Sequence, residues 1–449
     1  MGDMGRQAFT RFLTSSRARS ATGRRGVQWG GAVATWDELL AGGRDRARLV
    51  RPGHAYVVDP TEGLEALASL FAVASVPDTL LLWTARSALG VEEHRLAPAL
   101  AEVPLPLAEP MTRPMWGVCT SGSSGRPKVA IGHADLWELV AVQHDHMLRT
   151  ALPGTGSDPV LATCLPLQYS AAFLMTVLPA MFFRHDLLVF PAHDWTPLAT
   201  AARDRDVAVL GVPAVVAAAC LGTPDPLPMG RVAVFLGGGH VSATRVRLAR
   251  ERFEGVRLVN LYGTAETGAV SVDPDPGHGG HVGRPVEGKA VWVDQPNERG
   301  VGVVSAAGPD CCVAVWRPAD GAPPEETTGT VRSTAGRGVG VDYGRWDAEG
   351  RLWLEGRVDG AEKVSGMLVH PRQVERHLLA LPGVADARVR VEQTSHGLEN
   401  LAARVVGDVS VEEVRAHCAA LPDARRLTRV EVLPERDAAA AYGAHGKLT

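Results

Sequence analysis

The stretch Thr120-Ser121-Gly122-Ser123-Ser124-Gly125-Arg126-Pro127-Lys128 decides how the rest of the chain is read. An apolar run at 115–119 leads into it and another at 129–131 leads away. Two glycines and four hydroxyls ahead of Arg126 make a backbone that bends freely and offers many donors. Backbone N–H groups and hydroxyls of this kind can surround phosphate oxygens, and Lys128 adds a compact positive charge. The spacing is not that of the G-x-x-x-x-G-K-[ST] loop, because Pro127 rather than glycine stands directly before the lysine and no helix clearly starts there. A plain surface turn would share the Ser/Gly content. The lysine and the flanking strands are what point to phosphate.

Lys128 is one of four lysines, with Lys289, Lys363 and Lys447, among 46 basic residues in a chain of 449. A flexible ammonium cannot be copied by a planar guanidinium, so each retained lysine calls for a reason. With 45% hydrophobic residues, 21% charged residues and a net charge of −4, the composition is that of a globular protein. It excludes a disordered, collagen-like or disulfide-stapled chain and gives no reason to expect nucleic acid or an anionic membrane as partner. The most apolar run, 207–221, is too short for a membrane span and carries Gly211 and Pro213. Residues 1–25 are rich in Arg and Ser without an apolar centre, and the six cysteines have no C-x-x-C spacing. The expectation is a cytoplasmic protein with reduced thiols. Oligomeric state is not legible.

From about residue 35 to 270, short apolar runs (80–83, 160–165, 187–190, 207–210, 232–236, 256–261) alternate with amphipathic stretches (133–150, 197–204, 242–253). That alternation implies βαβ units and mainly parallel sheet, with the apolar strands covered on both faces. After about residue 275, Gly, Pro and Val dominate, and strand candidates at 290–294, 301–305 and 312–316 form a compact β region. A third texture begins near Gly356. Strands near 363–365, 387–391, 401–406 and 429–433 flank a helix at 371–381 and another at 410–420, the second opened by a Ser410/Glu413 capping box. The fold class is therefore α/β: a large N-terminal domain of βαβ sheets plus a compact β region, spanning 1–357, and a small α+β C-terminal domain, 358–449.

The loop resembles the phosphate-binding signature of the adenylate-forming superfamily, which includes acyl-CoA synthetases, peptide-synthetase adenylation domains and luciferases. Ser124 stands where that signature usually has Thr. Further segments follow in the superfamily's order. Tyr262-Gly263-Thr264-Ala265-Glu266-Thr267 resembles Y-G-x-T-E, which assigns Tyr262 to the adenine face and Glu266 to Mg²⁺. Ala265 replaces a hydroxyl usually offered to phosphate, leaving Thr264 or Thr267 to compensate. Gly237-Gly238-Gly239-His240 resembles the glycine segment between the adenine and acyl pockets, and Gly263 borders the same pockets. Asp342, in a segment resembling T-G-D-x-G-x-x-D-x-x-G-x-L but with Gly340 and Val341 in place of the Thr and Gly, is assigned to the ribose hydroxyls. Gly356-Arg357-Val358-Asp359 resembles the G-R-x-D hinge, with Arg357 on ribose or phosphate and Asp359 as the pivot on which the small domain moves. The segment from Lys363 to Glu375 resembles the next motif, except that Leu368 stands where arginine is common. Gly446-Lys447 resembles the C-terminal N/G-G-K, whose lysine bridges carboxylate and α-phosphate. The resemblance covers about residues 115–449, while residues 1–110 match only in βα texture.

The resemblance implies an acyl-adenylate-forming ligase. With ATP and Mg²⁺ it activates a carboxylic acid and releases pyrophosphate, with Lys447, Lys128 and Glu266 as catalytic residues and Thr120, Ser121, Gly122, Ser123, Ser124 and Gly125 around the phosphates. Transfer to the phosphopantetheine of a carrier protein or to CoA would follow, in a biosynthetic pathway. Tyr169 falls where the superfamily places an acyl-pocket residue. No Asp or Glu occurs from Cys164 to Arg184, and a buried ammonium without a carboxylate is costly, so the acid is expected to lack an α-amino group and to be aryl or short acyl. The alternatives are a ligase that forms an amide directly and a degenerate, non-catalytic nucleotide-binding homologue.

Overall fold

The computed structural model describes residues 26–449 apart from 105–110, 112, 122–126, 153–157, 224, 240, 278–279, 322, 327–336, 359–361, 365–366, 370, 394–398, 422–426, 443–447 and 449. Among the described residues, two large sheets share one core. The nine-stranded sheet has six adjacent parallel strands: Gly26–Trp29, Asp186–Val189, Val160–Thr163, Val207–Gly211, Val232–Gly237 and Arg257–Thr264. Its strands are apolar on both faces because both are covered. Ala208, Leu210, Ala233 and Phe235 enter the shared core. Val207, Val209, Val232 and Val234 pack with Leu198, Val216 and Val246 from the helices Thr196–Ala201, Pro213–Gly222 and Ala243–Arg252.

The eight-stranded sheet is built around parallel Ala55–Val58, Leu80–Trp83 and Met115–Ser121. Its buried Tyr56, Val58, Leu81 and Trp83 belong to the same core cluster as the inner face of the other sheet. Helices Leu64–Ala74 and Trp137–Thr150 and the segment 170–183 contribute to that cluster as well. The last of these is α-helical over Ser170–Ala172, π-helical over Phe173–Val177 and α-helical again over Leu178–Phe183. Single π turns inside helices occur often at functional sites. Helix Trp36–Ala47 has a Thr35/Glu38 capping box that the sequence reading passed over.

The compact β region is an antiparallel sheet of Ala290–Asp294, Gly302–Ala307, Arg337–Trp346 and Leu352–Arg357. The expected strand at 312–316 does not join it. Ala314–Trp316 instead pairs with Pro127–His133 of the eight-stranded sheet, where Trp316 is buried with Val129, Ile131 and Leu82. The C-terminal part holds a three-stranded sheet, Val384–Gln393, Glu399–Gly407 and Leu427–Leu433, under helices Pro371–Leu379 and Val411–Cys418. The Ser410/Glu413 capping box is formed as read. Val374, Leu378, Val405 and Val414 centre its own core.

Charged contacts tie this part to the large sheets. Buried Arg245 pairs with Asp386 and donates to the Tyr442 hydroxyl at 3.2 Å, and that hydroxyl in turn donates to Asp386 Oδ2 at 3.0 Å. Arg376 donates to the carbonyls of Leu354 and Glu355 at the end of the four-stranded sheet.

Candidate active site

The strands explain why the quoted stretch turns where it does. Met115–Ser121 and Pro127–His133 form an antiparallel pair whose register runs from Met115↔His133 through Thr120↔Lys128 to Ser121↔Pro127. The backbones of Thr120 and Ser121 therefore end one strand, and Lys128 stands near the start of the next. Gly122, Ser123, Ser124 and Gly125 lie outside the described residues, as do the side chains of Thr120 and Ser121.

Lys128 projects toward the second motif, and its Nζ lies 2.5 Å from Glu266 Oε1. The two side chains come from different sheets. Strand Arg257–Thr264 of the nine-stranded sheet ends in a turn that returns as strand Gly268–Asp273, and Glu266 sits within that turn. The turn is held from within. Thr264 and Thr267 hydroxyls lie 2.9 Å apart, Thr267 N donates to Thr264 Oγ1 at 3.1 Å, and Thr264 N donates to Thr267 Oγ1 at 3.3 Å. Thr267 is fully buried and Thr264 half-buried. Of the two threonines that flank Ala265 and Glu266, only Thr264 keeps any exposed surface. The turn is also held from behind, where Cys312 N donates to the Glu266 carbonyl at 2.9 Å.

The third motif meets the second at Tyr262, whose hydroxyl donates to Asp342 Oδ2 at 3.0 Å across 80 residues of chain. A register shift between Tyr262 and Gly263 marks the end of this strand, the kind of irregularity that re-aims a side chain. Burial, with the Asp342 charge next in effect, pushes the Tyr262 hydroxyl well above the ordinary phenol range, so it stays a donor. Asp342 and Arg357 are cross-strand partners on neighbouring strands of the four-stranded sheet, which places Arg357 beside the same carboxylate.

Gly237 ends the strand next to Arg257–Thr264, opposite Leu261, and Gly238 follows with φ +72, a conformation that favours glycine. Gly238, Gly239 and Gly263 thus gather at the carboxyl ends of parallel strands, where ligands bind in open α/β sheets. Tyr169 caps the short Ser170–Ala172 helix and is half-buried, its hydroxyl pushed up to about 12 by burial. Beside it, Trp83 stacks on Phe173 at 4.9 Å and donates to the Leu167 carbonyl at 2.5 Å. Asp359 and Lys447 lie outside the described residues. On either side of 443–447, Tyr442 and Leu448 form an antiparallel bridge, and Leu448 is buried with Val406 and Ala438.

The structure therefore brings together Lys128, Glu266, Thr264, Gly263, Tyr262, Asp342 and Arg357. Sequence reasoning missed what stands behind them: Asp310, which accepts from Ala269 N at 2.9 Å, and its partners His144 and Lys289. The one signal available was Lys289, a retained lysine outside every motif.

The chain belongs to the AMP-binding enzyme family, whose model matches residues 55–309. It is 30% identical over 436 residues, 89% of its length, to CymA of Salinispora arenicola, a probable non-canonical nonribosomal peptide synthetase, and spans 5% of that protein. It is 28% identical over 307 residues to the 2-succinylbenzoate–CoA ligase of Arabidopsis thaliana, covering 60% of this chain and 51% of that one. Among solved structures, the O-succinylbenzoate–CoA synthetase MenE of Bacillus subtilis, in complex with ATP and magnesium ion, superposes with a TM-score of 0.67 at 16% identity. That match covers 98% of both chains and establishes the shared fold. Among the described residues, no helix is long and apolar enough to cross a membrane.

Proposed function

We propose that this protein uses ATP to convert a carboxylic acid, aryl or short acyl and without an α-amino group, into an acyl-adenylate, and then passes the acyl group to a phosphopantetheine thiol of a carrier protein or CoA. The observation that carries this reading is the meeting of Lys128 with Glu266, from separate sheets, beside the Tyr262–Asp342 pair. A carboxylate oxygen forms a bond to the α-phosphorus while the bond from that phosphorus to the β-phosphate bridging oxygen breaks, and pyrophosphate leaves. All reacting groups are anionic, so the barrier falls where fixed positive charge meets the charge that develops.

Lys128 supplies one such charge. Glu266 fits Mg²⁺: it is a buried carboxylate on a doubly fastened turn, and one carboxylate plus substrate phosphates is the usual magnesium donor set. Bound there, the metal would neutralise phosphate charge. Asp342 can accept a pair of ribose hydroxyls, with Tyr262 donating to it and covering one side of the base. Lys447 would bridge the acid and the α-phosphate, and Asp359 would be the pivot between 1–357 and 358–449, both by family resemblance. The half-buried Tyr169 fits the acyl side of the site, and the missing acidic residue between Cys164 and Arg184 argues against a substrate ammonium.

A panel of acids assayed for pyrophosphate release tests the first half-reaction. Release with aryl or short acyl acids is expected. Turnover of α-amino acids alone would overturn the substrate class, and no release with any acid would leave a non-catalytic nucleotide-binding protein. Adding CoA, a holo carrier protein or an amine and weighing the product identifies the acceptor, with amide formation the outcome that replaces the thiol. Lys447→Ala should nearly abolish ATP–pyrophosphate exchange and spare thioester formation from supplied acyl-adenylate.

A further inference from the structure

Behind the Glu266 turn lies a charged cluster that the proposed chemistry does not use. Lys289, Asp310 and His144 have no solvent-exposed side-chain surface. Lys289 Nζ pairs with Asp310 Oδ1, and His144 Nε2 lies 3.2 Å from Asp310 Oδ2. The other ring nitrogen of His144 lies 2.7 Å from the Leu174 carbonyl, inside the π turn that follows Tyr169. Burying three such groups is costly unless each is matched, and a pair of apolar side chains would fill the space at less cost.

What the cluster holds is specific. Asp310 Oδ2 accepts from Ala269 N at 2.9 Å, three residues beyond Glu266. Gly268, at φ +63, has its α-carbon against the Asp310 carboxylate, and a Cβ there would collide with it. The next two residues continue the grip, with Cys311 Sγ donating to the Thr267 carbonyl at 3.3 Å and Cys312 N to the Glu266 carbonyl at 2.9 Å. Loop 308–312 thus fastens the turn at Glu266, Thr267 and Ala269, and Lys289 and His144 fix the loop's carboxylate.

We propose that Asp310, clamped between Lys289 and His144, is a positioning residue that presets the Glu266 carboxylate for Mg²⁺ and so sets the magnesium dependence of nucleotide binding. This rests on the reading of Glu266 given above. Through His144, the same cluster reaches the helix beside Tyr169, so the metal side and the acid side of the site share one rigid support.

The test titrates ATP into the whole protein by calorimetry over a range of Mg²⁺ concentrations. Partners that orient metal ligands are worth about 10–100-fold in metal affinity. Because Asn keeps one acceptor, Asp310→Asn should raise the Mg²⁺ concentration for half-maximal enhancement by about tenfold, with ATP binding in EDTA changed by less than about twofold. Asp310→Asn leaves Lys289 buried and unpaired and loses stability. The double variant Lys289→Met/Asp310→Asn removes that charge, and it should regain thermal stability without regaining the wild-type Mg²⁺ dependence. A merely structural cluster would give restored stability together with wild-type Mg²⁺ dependence, and that result overturns the proposal. Failure of the double variant to fold would also overturn it, by making the cluster a requirement of the fold. Glu266→Gln separates this idea from the reading beneath it. If the wild-type protein shows no Mg²⁺-dependent ATP binding, or Glu266→Gln keeps it, the role of Glu266 fails. If Glu266→Gln loses the dependence and the Asp310 variants keep it, only the positioning role fails.

Discussion

Two lysine–carboxylate pairs stand on opposite sides of one turn, and their surroundings assign them different work. Lys128–Glu266 is partly open to solvent, with side-chain exposures of 23% and 9%. Lys289–Asp310 has no exposure at all, and its carboxylate is further held by His144 and the Ala269 N–H. A pair that water and ligands can reach exchanges partners at modest cost. A sealed pair cannot, because either member left alone is an uncompensated charge in a low-dielectric interior. The same two functional groups therefore make a ligand-exchangeable contact on one side and a fixed support on the other.

The contrast breaks most readily at the sealed pair. Lys289→Met should cost about 3–5 kcal/mol of folding stability, read as a lowered urea midpoint, while Lys128→Met, which leaves a carboxylate that keeps some contact with solvent, should lower that midpoint by less. Equal losses from the two variants would erase the distinction. Activity should show the opposite ranking. Once an accepted acid is known, Lys128→Met should lower ATP–pyrophosphate exchange by about 10²–10³-fold, and a wild-type rate would remove Lys128 from the site.

Acid sharpens the comparison further. Burial pushes the Asp310 carboxyl up, but the Lys289 charge and the bonds from His144 and Lys289 overcome this and hold it well below the usual carboxylate range. A carboxyl lowered in the folded state adds stability that is complete above its unfolded value, about 4, and is lost as pH falls toward the folded one. Urea midpoints of the wild type should fall below about pH 4 by more than those of Lys289→Met/Asp310→Asn; parallel curves would show that the pair contributes nothing. The smallest effect belongs to Tyr262→Phe, which removes one hydrogen bond to Asp342 and should weaken ATP binding by about 1 kcal/mol, or roughly fivefold.

The alternation of apolar runs was enough to specify parallel sheet, because strands buried on both faces have no polar alternation to show. Lys128, Glu266, Tyr262 and Asp342 were legible for a different reason. Each lies in a short segment whose local order carries the resemblance. Asp310 and His144 belong to no such segment and become neighbours only when the helix Trp137–Thr150 packs against the loop after Gly302–Ala307. The strand Ala314–Trp316 shows the same limit. Its place among the candidates at 290–316 marked it as strand, but its sheet is the one in which Trp316 is buried.

The sequence by itself determined that the chain is α/β, that its C-terminal part is a small α+β unit, and which segments carry the family resemblance, since periodicity and motif order are local properties. Tertiary structure alone decided that Lys128 meets Glu266, that Thr264 and not Thr267 keeps exposed surface, and that a charged cluster is sealed beneath the turn. Burial and ion pairing depend on distances through space, and spacing along the chain does not encode them.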